Sequence, residues 1–173
     1  SSAASYVYKR QDPDTFWDMT KNVGSFHYWG EPLFGYYLSW DKWVIARHIE
    51  MLTSAGVDYL VFDTTNSVTY KQAYTAVFKV LQDYKEAGWN VPKVVFYTNS
   101  YSVGTMRNLY EQLYSKGLYK ELWYCPNGEK PMIIGNPDDK DYNGDKSFLD
   151  FFDVRLSQWP DAAYNPDGIP WME

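Results

Sequence analysis

The chain has 173 residues, a length typical of one domain, and carries a formal net charge of −6. Because its lysines and arginines are scattered through an acidic chain, nucleic acid and anionic membrane surfaces are disfavoured as partners. No apolar run reaches the ~20 residues that a membrane span needs, and the single cysteine, Cys125, excludes an intrachain disulfide.

Aromatic residues are unusually frequent. Seventeen tyrosines, nine phenylalanines and eight tryptophans make up 20% of the chain. Such rings fill a core, and they also present flat apolar surfaces with a polar handle. Sugar rings stack on surfaces of this kind, so the composition predicts a carbohydrate partner. The small polar residues 1–5 resemble what remains after an export signal is cleaved, which predicts a secreted, periplasmic or cell-surface protein.

Apolar segments typical of strands alternate with segments of helical periodicity. A first short strand is predicted over residues 23–28. A helix should then begin after Ser39, a good N-cap residue, and end at Gly56. The continuous apolar run 57–62 that follows is typical of a strand buried on both faces.

The same alternation continues along the chain. Thr69 and Gln72 have the spacing of a capping box, so a second helix should begin there and end at Gly88. A third helix should end at Gly117. Further strands are predicted over residues 93–97, 131–134 and 151–156.

This alternation predicts an α/β fold with a parallel sheet. Right-handed crossovers allow either a doubly wound sheet or a (β/α)8 TIM barrel. A doubly wound sheet usually has a glycine-rich phosphate loop after a strand, and this sequence has none, which favours the barrel. A complete barrel takes about 250 residues and eight β/α units. We therefore expect residues 1–173 to be a single domain, the N-terminal part of an incomplete barrel with about five such units.

Functional residues of such barrels cluster at the carboxyl ends of the strands. Asp63, directly after an apolar strand, is the candidate catalytic residue, although it could instead cap the turn that follows. The candidate sugar-binding residues are likewise polar or aromatic and follow predicted strands: His27, Trp29, Asn66, Asn99, Arg155 and Trp159.

One acidic loop has the spacing of a calcium-binding loop. Asp139, Asp141, Asn143 and Asp145 supply oxygen atoms at alternate positions, and Gly144 stands where such loops turn sharply. No cofactor is required by the rest of the sequence, so this loop predicts at most a structural calcium ion. The alternative is an acidic, solvated turn.

Several segments together resemble a family of bacterial, often Bacteroides-type, barrel proteins loosely related to glycoside hydrolase families 71 and 99. They are residues 34–37, 41–45, 55–58, 62–66, 129–134 and 151–155. The resemblance implies a barrel longer than this chain, with catalytic carboxylates on later strands beyond Glu173. The missing remainder of the chain would then be a partner of this part.

These observations predict a glycoside hydrolase that acts on a polysaccharide or oligosaccharide by carboxylate acid/base chemistry. A non-catalytic glycan-binding barrel would use the same aromatic and amide groups without a pair of carboxylates. A scaffold domain without a ligand would hold its polar strand ends in internal salt bridges.

Overall fold

The computed structural model describes residues 32–35, 37–159 and 161–170. The predicted first strand, with His27 and Trp29, lies outside the described residues. The described elements, in chain order, are α1 (Lys42–Ser54), β1 (Tyr59–Asp63), α2 (Lys71–Glu86), β2 (Lys93–Tyr97), α3 (Ser102–Leu109), a π-helical turn (Tyr110–Tyr114), a 3-10 turn (Lys120–Leu122), β3 (Met132–Ile134), a second 3-10 turn (Ser147–Phe151), β4 (Asp153–Arg155), β5 (Ser157–Gln158) and β6 (Ile169–Pro170).

Strands β1 to β4 form a four-stranded sheet in chain order, and every neighbouring pair is parallel. β1 and β2 pair along their full lengths, from Tyr59 opposite Lys93 to Asp63 opposite Tyr97. The predicted α/β fold with a parallel sheet is therefore confirmed. β5 and β6, which the sequence analysis did not predict, form a separate parallel pair. None of the helices that the structure describes is both long and apolar enough to cross a membrane.

The two faces of the sheet have different surroundings. On one face Leu60, Phe62 and Phe96 join the main core, which the helices cover. The opposite face, here called the second face, carries a smaller cluster built from Val95, Tyr97, Met132 and Ile134, with Tyr59 and Val61 packed against it. Because side chains alternate along a strand, each residue at a strand end can be assigned to one of these faces.

Two strand predictions need correction. All five residues of β1 are only partly buried, whereas the apolar run predicted a strand covered on both faces. The reason is that, among the described residues, β1 pairs only with β2. The predicted strand 151–156 is present but shorter, because β4 covers only Asp153–Arg155 and Phe151 ends a 3-10 turn. Phe151 and Phe152 pack against the ring of Tyr114 instead of extending the strand.

The predicted helix ends are confirmed and the predicted starts are wrong. α1 is capped by Asp41, not Ser39, because the Asp41 carboxylate accepts hydrogen bonds from the amides of Trp43 (2.9 Å) and Val44 (3.3 Å). α2 begins after Tyr70, which has a left-handed backbone and makes no side-chain cap, so the predicted capping box does not form. Glycines at 56 and 88 have positive φ just after the helices, as a C-terminal stop requires.

The carboxyl end of β3 packs tightly against the start of α3. A Cβ atom added at Gly135 would lie 2.2 Å from Thr98 Oγ1, 2.3 Å from Met106 Cε and 2.7 Å from Ser102 Oγ. The Ser102 hydroxyl, which is fully buried, also accepts a hydrogen bond from the amide of Asn136 at 2.9 Å. Only glycine allows this approach of β3 to α3.

We therefore expect Gly135→Ala to destabilise the fold by about 2–3 kcal/mol, because overpacking forces the buried neighbours to move. Gly56→Ala is the control, because its added Cβ meets open space and only its φ of +71° is unfavourable. That backbone term is worth about 1–2 kcal/mol. Urea unfolding measures both variants, and a Gly135→Ala variant no less stable than Gly56→Ala would contradict the packing argument.

Candidate functional site

Four side chains stand in one row across the second face at the carboxyl ends of β1 to β4. The register places Asp63 opposite Tyr97, Tyr97 opposite Ile134, and Ile134 opposite Arg155. Asp63 and Arg155 belong to the second face because Phe62 and Val154, their neighbours, pack on the main core. We call Asp63, Tyr97, Ile134 and Arg155 the rim row.

Asp63 uses one carboxylate oxygen locally. Its Oδ1 accepts hydrogen bonds from the amide (2.9 Å) and the hydroxyl (2.7 Å) of Thr65. Its Oδ2 has no hydrogen-bond donor among the described residues. The turn-capping role and a ligand role are therefore compatible, because Oδ1 fixes the carboxylate and leaves Oδ2 for a ligand.

The loops after β1 and β2 are joined to each other. The Ser67 hydroxyl donates to the carbonyl of Ser100 (2.7 Å), and the Ser100 amide donates to the carbonyl of Thr65 (2.8 Å). The buried Thr64 donates from both its amide and its hydroxyl to the carbonyl of Tyr97. These bonds hold the two loops side by side above the rim row.

The two predicted asparagines differ in what they contact. The Asn66 amide group donates to the Tyr70 hydroxyl, and its oxygen accepts from the amide of Val68, so it stabilises its own loop. Asn99 is exposed and its side chain makes no hydrogen bond within the described chain. Of the two, Asn99 has the amide that is open to a ligand.

Arg155 forms an internal network. Its Nε and Nη2 donate to the two oxygens of Asp153 (2.8 and 3.0 Å), and its Nη1 contacts Asp167 at 3.1 Å. These carboxylates raise the pKa of Arg155, chiefly because Asp153 accepts hydrogen bonds from its guanidinium. The network attaches the loop before β6 to β4. The predicted sugar-binding role of Arg155 thus competes with a structural one.

Tyr97, in the rim row, is a site residue that the sequence analysis did not predict. The buried Tyr97 accepts a hydrogen bond from the hydroxyl of Ser157 (2.9 Å), and burial raises the pKa of its phenol. The signal was present in the sequence, because Tyr97 is the last residue of its predicted strand. Trp159, a predicted stacking residue, follows β5 and is 44% exposed.

Tyr101 opens α3 in an unusual conformation. Its backbone is left-handed, with φ of +47°, which is rare for a bulky residue and costs energy. Its ring lies so close to Gly104 that a Cβ there would stand 1.9 Å from Tyr101 Cε1. The ring also lies 6.0 Å from that of Tyr142, so two tyrosines line this end of the sheet.

The acidic loop is held from within. Asp139 is nearly buried, and its Oδ2 accepts a hydrogen bond from the amide of Val103 in the first turn of α3 (3.2 Å), while its Oδ1 accepts from the amide of Asp141 (3.0 Å). Tyr101, the residue that precedes α3, makes no side-chain cap. Asp139 therefore caps α3 from a distant loop.

A lysine supplies positive charge inside this loop. The Lys146 ammonium donates to the carbonyls of Pro137 and Asp139, at 3.1 Å each. The Asp145 carboxylate accepts from the amide and hydroxyl of Ser147, and these bonds lower its pKa. Asp141 and Asn143 are exposed. Within the described residues no group of three acidic, histidine or cysteine side chains is arranged to hold a metal, and calcium binding stays a prediction.

Removing the Asp139 carboxylate should weaken α3. We expect Asp139→Ala to destabilise the protein by about 1–2 kcal/mol, the usual effect of losing a helix cap. Asp138→Ala, at the exposed neighbouring position, should change the free energy of unfolding by less than about 0.5 kcal/mol. Equal effects of the two substitutions in urea unfolding would show that Asp139 does not cap α3.

Calcium binding has a direct test. A cation that binds only the folded chain would stabilise it by about 2.7 kcal/mol at a hundredfold excess over Kd. Because Lys146 already occupies two loop carbonyls, we expect equal melting temperatures in millimolar calcium and in chelator. A higher melting temperature in calcium that Asp141→Ala abolishes would establish the calcium site instead.

Comparison with known proteins adds no relative: no family model, curated protein or solved structure matches the chain.

Proposed function

We propose that the chain is part of a (β/α) barrel that acts on glycans, with the rim row and its two joined loops as the sugar-binding surface. The observation that carries the proposal is the Asp63 carboxylate, which is fixed through Oδ1 and whose Oδ2 accepts no hydrogen bond from the described residues. It stands beside Tyr97 on the second face. A fixed carboxylate with an open oxygen suits either proton transfer or the binding of a sugar hydroxyl.

The aromatic content supports the same class of ligand. Trp159 and Tyr101 are each exposed by more than two fifths, and both follow strands at the rim end. Their rings offer flat surfaces for the apolar face of a sugar, while the Asn99 amide offers a donor and an acceptor. This combination fits a polyhydroxylated ligand better than a small apolar one.

The reaction we propose is hydrolysis of a glycosidic bond, with Asp63 as acid/base and a second carboxylate about 5–10 Å away. Two other carboxylates lie at the described second face, and both contact Arg155: Asp153 on β4 and Asp167 in the loop before β6. Asp153 is three strands from Asp63 and therefore at least about 14 Å away by strand spacing. Asp153 is also engaged by Arg155. A hydrolase would therefore take its second carboxylate from outside the described residues, as the resemblance to the barrel family implies.

A non-catalytic glycan-binding barrel is the second candidate, and the same observation favours it. With one open carboxylate in the described rim row, binding of sugar hydroxyls requires nothing further. In either case we propose that the protein is secreted or displayed at a cell surface, where polysaccharides are found.

Asp63→Asn tests both candidates. Asparagine keeps an oxygen for the Thr65 amide and hydroxyl, so we expect stability to change by less than about 1 kcal/mol. Loss of an acid/base group should lower the release of reducing sugar from a polysaccharide panel about 10²–10⁴-fold. If the protein only binds glycans, the wild type should release no sugar. Its migration in affinity electrophoresis should then be retarded by a polysaccharide, and Asp63→Asn should lose that retardation.

Asp58→Asn is the matched control, because Asp58 is an exposed carboxylate just before the opposite end of β1. It should leave both activity and binding unchanged. Wild-type turnover and wild-type binding in Asp63→Asn would remove Asp63 from the site and favour a scaffold role.

A further inference from the structure

An open groove lies between α1 and α2 on the helix-covered side of the sheet. Its volume is about 570 Å³, and it is widely open to solvent. Trp40 and Lys42 line it at the start of α1, and the first half of α2 lines the other wall through Lys71, Gln72, Thr75, Ala76 and Lys79. Because the loop after β1 leads straight into α2, the groove opens at the same end of the molecule as the rim row.

The groove gathers positive charge that forms no ion pair with any described carboxylate. Lys42, Lys71 and Lys79 are exposed, and none of them forms an ion pair or hydrogen bond within the part of the chain that the structure describes. The nearby Asp41 carboxylate is occupied by amides of α1. In a chain of net charge −6, this is a local concentration of cations without an ion pair among residues 32–35, 37–159 and 161–170.

The groove also has an aromatic wall. Trp40 is half-buried and packs against the main core, which fixes its ring beside the lysines. Gln72 and Thr75 add hydrogen-bonding groups. Ammonium groups beside an indole face suit a ligand that has a negative charge attached to a ring with an apolar face.

We propose that this groove binds the carboxylate or sulfate group of an acidic saccharide unit. The identity of the ligand as a saccharide rests on the proposed function, whereas its negative charge rests on the groove alone. A glycan that crosses the rim at Asn99 and Asp63 would place a flanking unit over α2. The groove would then select acidic polysaccharides over neutral ones.

Affinity electrophoresis with dextran sulfate, polygalacturonate and unsulfated dextran tests the proposal. The variant Lys42→Gln/Lys71→Gln/Lys79→Gln should bind the preferred acidic polymer on the order of tenfold more weakly, at about 1.5- to 5-fold per lysine. The control Lys116→Gln/Lys130→Gln/Lys140→Gln removes the same charge from exposed lysines elsewhere and should bind as the wild type does.

Two further arms identify the ligand group. Preference for dextran sulfate or for polygalacturonate distinguishes sulfate from carboxylate. Trp40→Leu should weaken binding of the polymer more than binding of inorganic sulfate, because only the polymer has a ring to stack. Circular dichroism of each variant confirms that it remains folded.

The outcomes separate this inference from the proposed function. Equal weakening of polymer binding in both triple-lysine variants would overturn the proposal that the groove binds acidic saccharides. So would a wild type that binds neither acidic polymer. If a neutral glycan is still bound or cleaved in an Asp63-dependent way, the proposed function stands even though the groove proposal fails. Groove-dependent binding of an acidic polymer, with no effect of Asp63→Asn on any glycan, would support the groove and reject the rim row.

Discussion

The in-register parallel pairing of β1 to β4 is the constraint on which the other features depend. Because all four strands run the same way, their last residues stand side by side, and the loops that follow must begin at one edge. The helices after β1 and β2 therefore also start at that edge. The rim row, the joined loops and the α2 wall of the lysine groove lie at one end of the molecule for this single reason.

The fold class could be predicted from local patterns. Apolar runs at strand length and helical periodicity between them are properties of neighbouring residues, and glycines at 56 and 88 mark real helix ends. Asp63 and Asn99 could be found in the same way, as polar residues just after strands. The partial burial of β1 could not be predicted, because it depends on which strands pair beside β1 and not on the sequence of β1 itself.

What sequence reasoning missed depends on partners far apart in the chain. Asp139 caps α3 across 36 positions, and nothing near either residue signals it. The acidic loop has the spacing of an ion-binding loop, yet the Lys146 ammonium lies against its carbonyls. The lysines of the groove are scattered in sequence and come together only when α1 packs on α2. Each of these contacts joins residues that are distant in sequence or that meet only through folding, so local patterns could not predict it.

The contact between Tyr101 and Gly104 has a consequence for how this sequence can vary. Any side chain at position 104 would collide with the Tyr101 ring, whereas a smaller residue at 101 would clear that space. Tyr101 is 46% exposed, so its ring can also turn out towards solvent to make room. Substitution at position 104 is therefore coupled to the size or the rotamer of residue 101. The two positions should vary together and not independently.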